Sequence, residues 1–366
     1  MGRKRIATKL KHKKGFMDIQ FNWIFILVIG VIILAFFISI AEKQKTVSNV
    51  KISSQIRSDL RTIFTGTRSS TGTASLIDLG GKPITFSCEG FAVADLSPVQ
   101  EGVSFAPGSL QGYKLTAWSK DWSIPYRISN FLMITSPTVK YTLVGNSSLA
   151  LELNKSLPAQ FLSKGSSKQI LFNRQSILLG ADPASDGNYR VKFVFFNHDP
   201  VGTESLLKLT SLADADVSAI NTLSTSLDGY GTVRFYKKFG NAWSTSPQTS
   251  YYLGKESLFA AVFSDDYRTY NCNMQRAFKN MAFITNIYKQ RSERLKVQVT
   301  GTDQDACAVQ YQLASNTLQD MYTKADQRSK TFPQSSSSAI TDLYNDGETL
   351  KSYNRGLQSL SCSEVY

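Results

Sequence analysis

Histidine is nearly absent from this chain. Among 366 residues there are two, His12 and His198, and His12 belongs to a basic run at the amino terminus. The rest of the chain therefore cannot build a multi-histidine metal site, and any Ser-His-Asp arrangement has to use His198. No G-x-S-x-G elbow accompanies it. Cysteine is also scarce: Cys88, Cys272, Cys307 and Cys362 stand too far apart for a C-x-x-C zinc knuckle. No glycine-rich phosphate loop follows a strand-like run. Asp228-Gly229-Tyr230-Gly231 precedes one instead and reads as a turn. The expectation is a protein without metal or cofactor.

The formal charge of +13 first suggests nucleic acid, but its distribution does not. Arg3, Lys4, Arg5, Lys9, Lys11, Lys13 and Lys14 crowd a short tail that has no acidic residue. No basic groove with interleaved aromatics is evident elsewhere, so a nucleic-acid partner is not expected. Attraction to anionic lipid headgroups accounts for the tail.

What the sequence does have is one long apolar run. From Trp23 to Ala41 no residue is charged and Ser39 carries the one hydroxyl. As a helix, this run covers roughly 28 Å, the thickness of a hydrocarbon layer. A buried core helix would show a polar face; this segment has none. Seven basic residues precede the span, while Lys43, Lys45 and Lys51 follow it, which places residues 1–22 in the cytoplasm and residues 42–366 outside. A cleaved secretory signal is disfavoured by the length of the run and by Glu42-Lys43-Gln44-Lys45 where small residues would be needed.

After the span, Val47, Val50, Ile56, Leu60 and Ile63 predict an amphipathic helical stalk over 42–64, closed by the Gly/Ser/Thr-rich GTRSSTGTAS. A β-rich zone is expected over 75–157, from ITFSC (84–88), GVSF (102–105), YKLTAW (113–118), NFLMI (130–134) and VKYTLV (139–144) in one small antiparallel sheet. Trp118, Trp122, Pro125 and Tyr126 are expected to pack near one another as its core. Over 158–270, YRVKFVFF (189–196) reads as a strand covered on both faces. LLKLTSL (206–212), a helix from Ala213 to about Ser224, TVRFYKK (232–238) and a strand SLFAAVF (257–263) complete an α/β pattern.

Residues 271–366 carry three helical stripes: Met274, Ala277, Met281, Ile284, Tyr288; then Cys307, Tyr311, Ala314, Leu318, Met321, Ala325; then Ile340, Leu343, Gly347, Leu350, Leu357, Leu360. TFPQSSSS (331–338) links the last two. The fold class expected is thus α+β or α/β outside the membrane, ending in antiparallel helices.

Candidate chemistry is sparse. His198 follows the FVFF strand and precedes Asp199-Pro200, a position α/β proteins use for function, but a solvated turn histidine is the simpler reading. Asp265 and Asp266, at the expected end of SLFAAVF, are the acidic pair best placed for acid/base work. Asp214/Asp216 and Asp303/Asp305 also pair, but turns and helix starts select Asp for capping alone. Asn146-Ser147-Ser148 and Asn154-Lys155-Ser156 are glycosylation sequons.

An even cysteine count beyond the span favours two disulfides. If the three C-terminal helices pack up-down, Cys272 opens the first at one end, whereas Cys307 and Cys362 meet at the other. Cys307–Cys362 and Cys88–Cys272 follow. The alternative is a strand at LKVQV (295–299), which would return Cys307 to Cys272.

The stretch KKGFMDIQFNWIFILVIGVIILAFF resembles a class III, prepilin-type signal segment. The resemblance implies cleavage after Gly15, in Lys13-Lys14-Gly15, leaving Phe16 as the new amino terminus. Gln20 stands at the fifth mature position, where pilins usually carry Glu, and Asp18 and Asn22-Trp23 depart further from the pattern. Through FNWIFILVIG, WSIPYRISNF, RVKFVFFN, LFAAVFSDD and YNCNM the whole chain is similar to a group of uncharacterised single-pass membrane proteins of small-genome (DPANN-type) archaea. That resemblance implies location and build, not mechanism. The partners expected are a lipid bilayer and other proteins at the cell surface.

Overall fold

An uninterrupted apolar run followed by good helix formers, with no proline or glycine cluster until residue 66, sets the first element. In a computed structural model, α1 is a single helix, Gly15–Ser69. The model describes residues 15–70, 72–100, 102–144, 148–157, 172–175, 190–202, 212–223, 228–333 and 338–366. The chain divides into two units between Gln55 and Ile56. In the first, α1 is long and apolar enough to cross a membrane, and its large side chains from Trp23 to Ile40 are exposed.

The second unit, Ile56–Tyr366, takes in the last turns of α1. Leu60 and Phe64 are buried there, and the Phe64 ring meets Phe91 edge-on at 5.2 Å. The helix runs past residue 64 to Ser69. One face of its final turns is core, and Asn130 Nδ2 donates to the Arg68 carbonyl.

The strands expected in one antiparallel sheet fall into three. The first holds β1 (Ala74–Asp78), β6 (Lys114–Ser123), β7 (Arg127–Thr135) and β4 (Val103–Phe105) in the order β1-β6-β7-β4, with β4 and β7 parallel. β2 (Ile84–Ser87) lies between β3 (Gly90–Val93) and β5 (Ser109–Leu110) in a small sheet of its own. VKYTLV, read as the end of the first sheet, is β8 (Val139–Val144) and belongs to a third. That sheet runs β13-β12-β11-β10-β8-β9, with β14 also paired to β12. Its members are β9 (Phe172–Gln175), β10 (Arg190–Phe196), β11 (Val217–Leu223), β12 (Tyr230–Phe239), β13 (Ala242–Trp243) and β14 (Gln248–Leu253). Between β8 and β9 lies a short helix, α2 (Ser148–Ser156).

β10 is central, parallel to both neighbours and buried on both faces, as its β-branched and aromatic run demands. The helix expected from Ala213 is one 3-10 turn, Asp214–Asp216, followed by β11. Val217, Ala219 and Ile220 are β-strand core, and packing between strands overrides the local helical pattern. LLKLTSL lies, apart from Leu212, outside the described residues.

SLFAAVF is the larger correction. It is not a strand but α3 (Lys255–Phe263), with every residue from Ser257 to Phe263 buried. A helix enclosed on all sides has no polar face, so its sequence shows the same continuous apolar run as a buried strand. Trp118 on β6 meets Phe259 edge-on at 5.1 Å, and Tyr141 on β8 packs against Phe263 at 5.3 Å, so α3 lies against two sheets at once. Trp122 and Tyr126 are also buried: Trp122 stacks on Phe131, and Tyr126 meets the tilted ring of Tyr288 at 4.5 Å.

The C-terminal stripes form α4 (Tyr267–Val299), α5 (Asp305–Thr331) and α6 (Ser338–Ser359), so LKVQV is helix. All members of the second stripe are buried, and Gly347 on α6 lets Ile124 approach to within 3.2 Å of where a Cβ would stand. Leu360 departs from the third stripe and is exposed. Cys88 is bonded to Cys272 and Cys307 to Cys362, with Cα separations of 5.8 and 6.2 Å, within the reach of a disulfide. The first ties the small sheet to α4, the second the start of α5 to the segment after α6. The layout is α+β.

The enclosure of α3 fixes an expectation for stability. Replacing Phe259 by Ala should cost about 3–5 kcal/mol in urea unfolding of the detergent-solubilised chain. Phe283→Ala, at an exposed position on α4, should stay within about 0.5 kcal/mol.

Candidate functional site

Where α3 ends and α4 begins, Asp265 and Asp266 open onto a groove of about 620 Å³. Phe86, Phe235, Lys237, Phe239, Gln248 and Tyr267 line it with them. The sequence places these two carboxylates at a strand end; the structure places them in the joint between two helices, and this change decides their roles.

Both carboxylates are engaged in holding the joint. Asp266 caps α4: its side chain accepts from Thr269 N at 2.8 Å and from Thr269 Oγ1 at 3.2 Å. Asp265 Oδ2 accepts from Gly108 N at 3.0 Å and from the Arg190 guanidinium. Arg190 also reaches Asp216, Nε to Oδ1 at 3.5 Å, and so binds the 3-10 turn to the α3–α4 joint. Asp214 accepts from Gly240 N at 2.8 Å and pairs with Lys238 at 3.3 Å; the Gly240 N–H above all holds its carboxyl below the usual range. Asp305 takes the Gly301 N–H at 3.1 Å at the start of α5.

His198 is not part of this groove. It is exposed in the turn after β10, while Arg190 and the carboxylates stand at the strand's other end, roughly 20 Å away at 3.3 Å per residue. The imidazole and the Asp265/Asp266 pair therefore do not form one constellation. Asn146 lies outside the described residues, and Asn154 falls in α2 with its side chain outside them. Gly15 and Phe16 open the described part of α1; the leader before them lies outside it.

The residue that sequence reading missed is Lys192. It is 2% exposed, and its Nζ donates to the carbonyls of Ala261, at 3.1 Å, and Ser264. These are carbonyls at the C-terminal end of α3, which no water reaches. Ser264 Oγ donates to Ala260 O at 2.8 Å in the same turn. The ammonium also lies 5.7 Å from the Phe235 ring centre. Burial pushes its pKa from 10.5 down to about 7, opposed by the nearby Asp266 charge. A signal was present: in RVKFVFF two cations, Arg190 and Lys192, share the strand face that carries Val194 and Phe196 into the core.

Among the described residues no group of three or more His, Cys, Asp or Glu could hold a metal ion. Comparison with protein-family models, with curated proteins and with solved structures finds no match to this chain. The groove thus offers polar and aromatic side chains for binding, while its two carboxylates serve the fold.

Lys192 gives the fold a pH dependence with a definite sign. Between pH 7 and 10.5 the unfolded chain holds a proton on this lysine that the folded chain releases, so its contribution to stability rises with pH across that window. Below pH 7 the lysine is charged in both states and the full burial penalty applies. Relative to Lys192→Met, the wild-type chain should gain stability steadily from pH 7 to pH 10 in urea titrations. A gap that stays flat over that range contradicts the buried-lysine account.

Proposed function

We propose that this chain is a membrane-anchored, disulfide-stapled interaction or assembly protein of the cell surface, without catalytic activity. The observation that carries the reading is the apolar section of α1, with exposed Trp23, Phe25, Leu27, Leu34, Phe36 and Phe37 on all sides. Such a helix is untenable in water and requires lipid or other helices around it. The basic tail before it and the few lysines after it orient residues 1–22 to the cytoplasm and 42–366 outward. Two disulfides suit an oxidising exterior. The engagement of Asp265 and Asp266 in holding the α3–α4 joint supports binding over catalysis.

A second reading draws on Lys13-Lys14-Gly15-Phe16: a large pilin-like subunit, processed after Gly15, whose bare helix would be covered by sister helices. A surface hydrolase or carbohydrate-active enzyme working through Asp265, Asp266 or His198 is the third, and the separation of His198 from the groove weighs against it.

Membrane fractionation with alkaline carbonate, followed by intact-mass analysis, separates these readings. We expect the chain to stay with the lipid and to retain residues 1–15. Release by carbonate would overturn the anchor, and loss of residues 1–15 would put the pilin-like reading first.

A further inference from the structure

The Tyr267–Arg268 ridge separates the Asp265/Asp266 groove from a second, smaller recess of about 300 Å³. Arg268, Asn271, Cys272, Gln275, Lys330 and Phe332 line it, between the first turns of α4 and the last of α5. We propose that this recess binds an oxyanion, the carboxylate of an acidic sugar or a phosphate group.

Asn271 is 5% exposed, and Ser250 Oγ lies 2.6 Å from its Oδ1 as donor. Its amide nitrogen, also buried, has no hydrogen-bond partner among the described residues. Buried polar groups of this kind are seldom left unmatched, and a ligand acceptor is one way they are satisfied. The other amide here is spent, because Gln275 Nε2 donates to Phe332 O at 2.8 Å. The Thr331 hydroxyl is likewise spent on Gln327 O at 2.9 Å.

The charge of the recess selects the ligand's sign. Among the described residues its charged lining is Arg268 and Lys330, both cationic, with no carboxylate. Asp265 and Asp266 open on the other side of the ridge. Lys330 is held by Asp326 at 2.6 Å, and the exposed Arg268 supplies a cation whose planar fork suits an oxyanion. The volume matches the small end of ligand pockets and suits one sugar or one phosphate group.

An extended peptide is disfavoured by the strand edges around the ridge. β2 is paired on both sides, and β12 is paired with β11 on one side and with β13 and β14 on the other. At β14 the Tyr270 hydroxyl of α4 donates to Tyr251 O at 2.9 Å, so a helix side chain already bonds that strand's backbone.

The test is thermal unfolding of the full-length, detergent-solubilised chain at constant ionic strength, titrated with sodium phosphate, sodium galacturonate or neutral galactose. We expect a saturable rise in Tm with at least one anion and none with galactose, and the anion with the lower half-saturation identifies the source of the oxyanion. Arg268→Ala, at an exposed position, should raise the half-saturation about ten- to hundredfold, as loss of a charge-assisted bond implies. Absence of any saturable anion effect, an equal response to galactose, or unchanged binding by Arg268→Ala would overturn the proposal.

Discussion

The second unit, Ile56–Tyr366, is organised around a helix that is buried from its third residue onward. α3 is nine residues long and enclosed from Ser257 onward. It has no exposed face, so its end groups need partners from the protein itself. At the amino end, Gly254 takes φ +81°, Ser257 Oγ accepts the Leu253 N–H at 2.7 Å, and Trp122 Nε1 donates to Leu253 O at 2.8 Å. At the carboxyl end, Lys192 reaches from β10 to the Ala261 and Ser264 carbonyls. Lys192 from β10 thus reaches the carboxyl end of α3, while Trp122 from β6 holds the β14 residue just before its amino end. Both large sheets pack against this one helix.

This constraint explains the division of roles among the charged groups. Arg190, Asp265, Asp216, Lys192 and Asp266 together look like reactive chemistry, but each ties one element to another: Arg190 the 3-10 turn to the joint, Asp266 the first turn of α4 to its cap, Lys192 the strand to α3. Removing one partner of such a set leaves the other buried and uncompensated, so each of these groups has a structural role.

Much of this was legible in the sequence wherever one face of an element is wet. The C-terminal stripes alternate apolar and polar residues at helical spacing, so α4, α5 and α6 were readable, and the disulfide partners followed from their up-down order. The central strand β10 announced itself by composition. Legibility failed where periodicity vanishes. α3 is buried all round, so SLFAAVF carried no helical signature and was read as a strand, which misplaced Asp265 and Asp266 with it. VKYTLV gave the right element but the wrong sheet, because partner choice between β8 and β10 is a long-range matter that local pattern does not encode. Lys192 was passed over because a lysine in a strand is ordinarily solvated, and only the enclosed end of α3 gives it work.

The proposed function requires a domain held outside the cell by one apolar helix. Protease treatment of intact cells, followed by detection of an epitope at Tyr366 and another within residues 1–14, reads out that placement. The claim predicts that the Tyr366 epitope is lost and that the amino-terminal epitope, where that segment is retained, survives until the cells are opened. Full protection of Tyr366 in intact cells would contradict it.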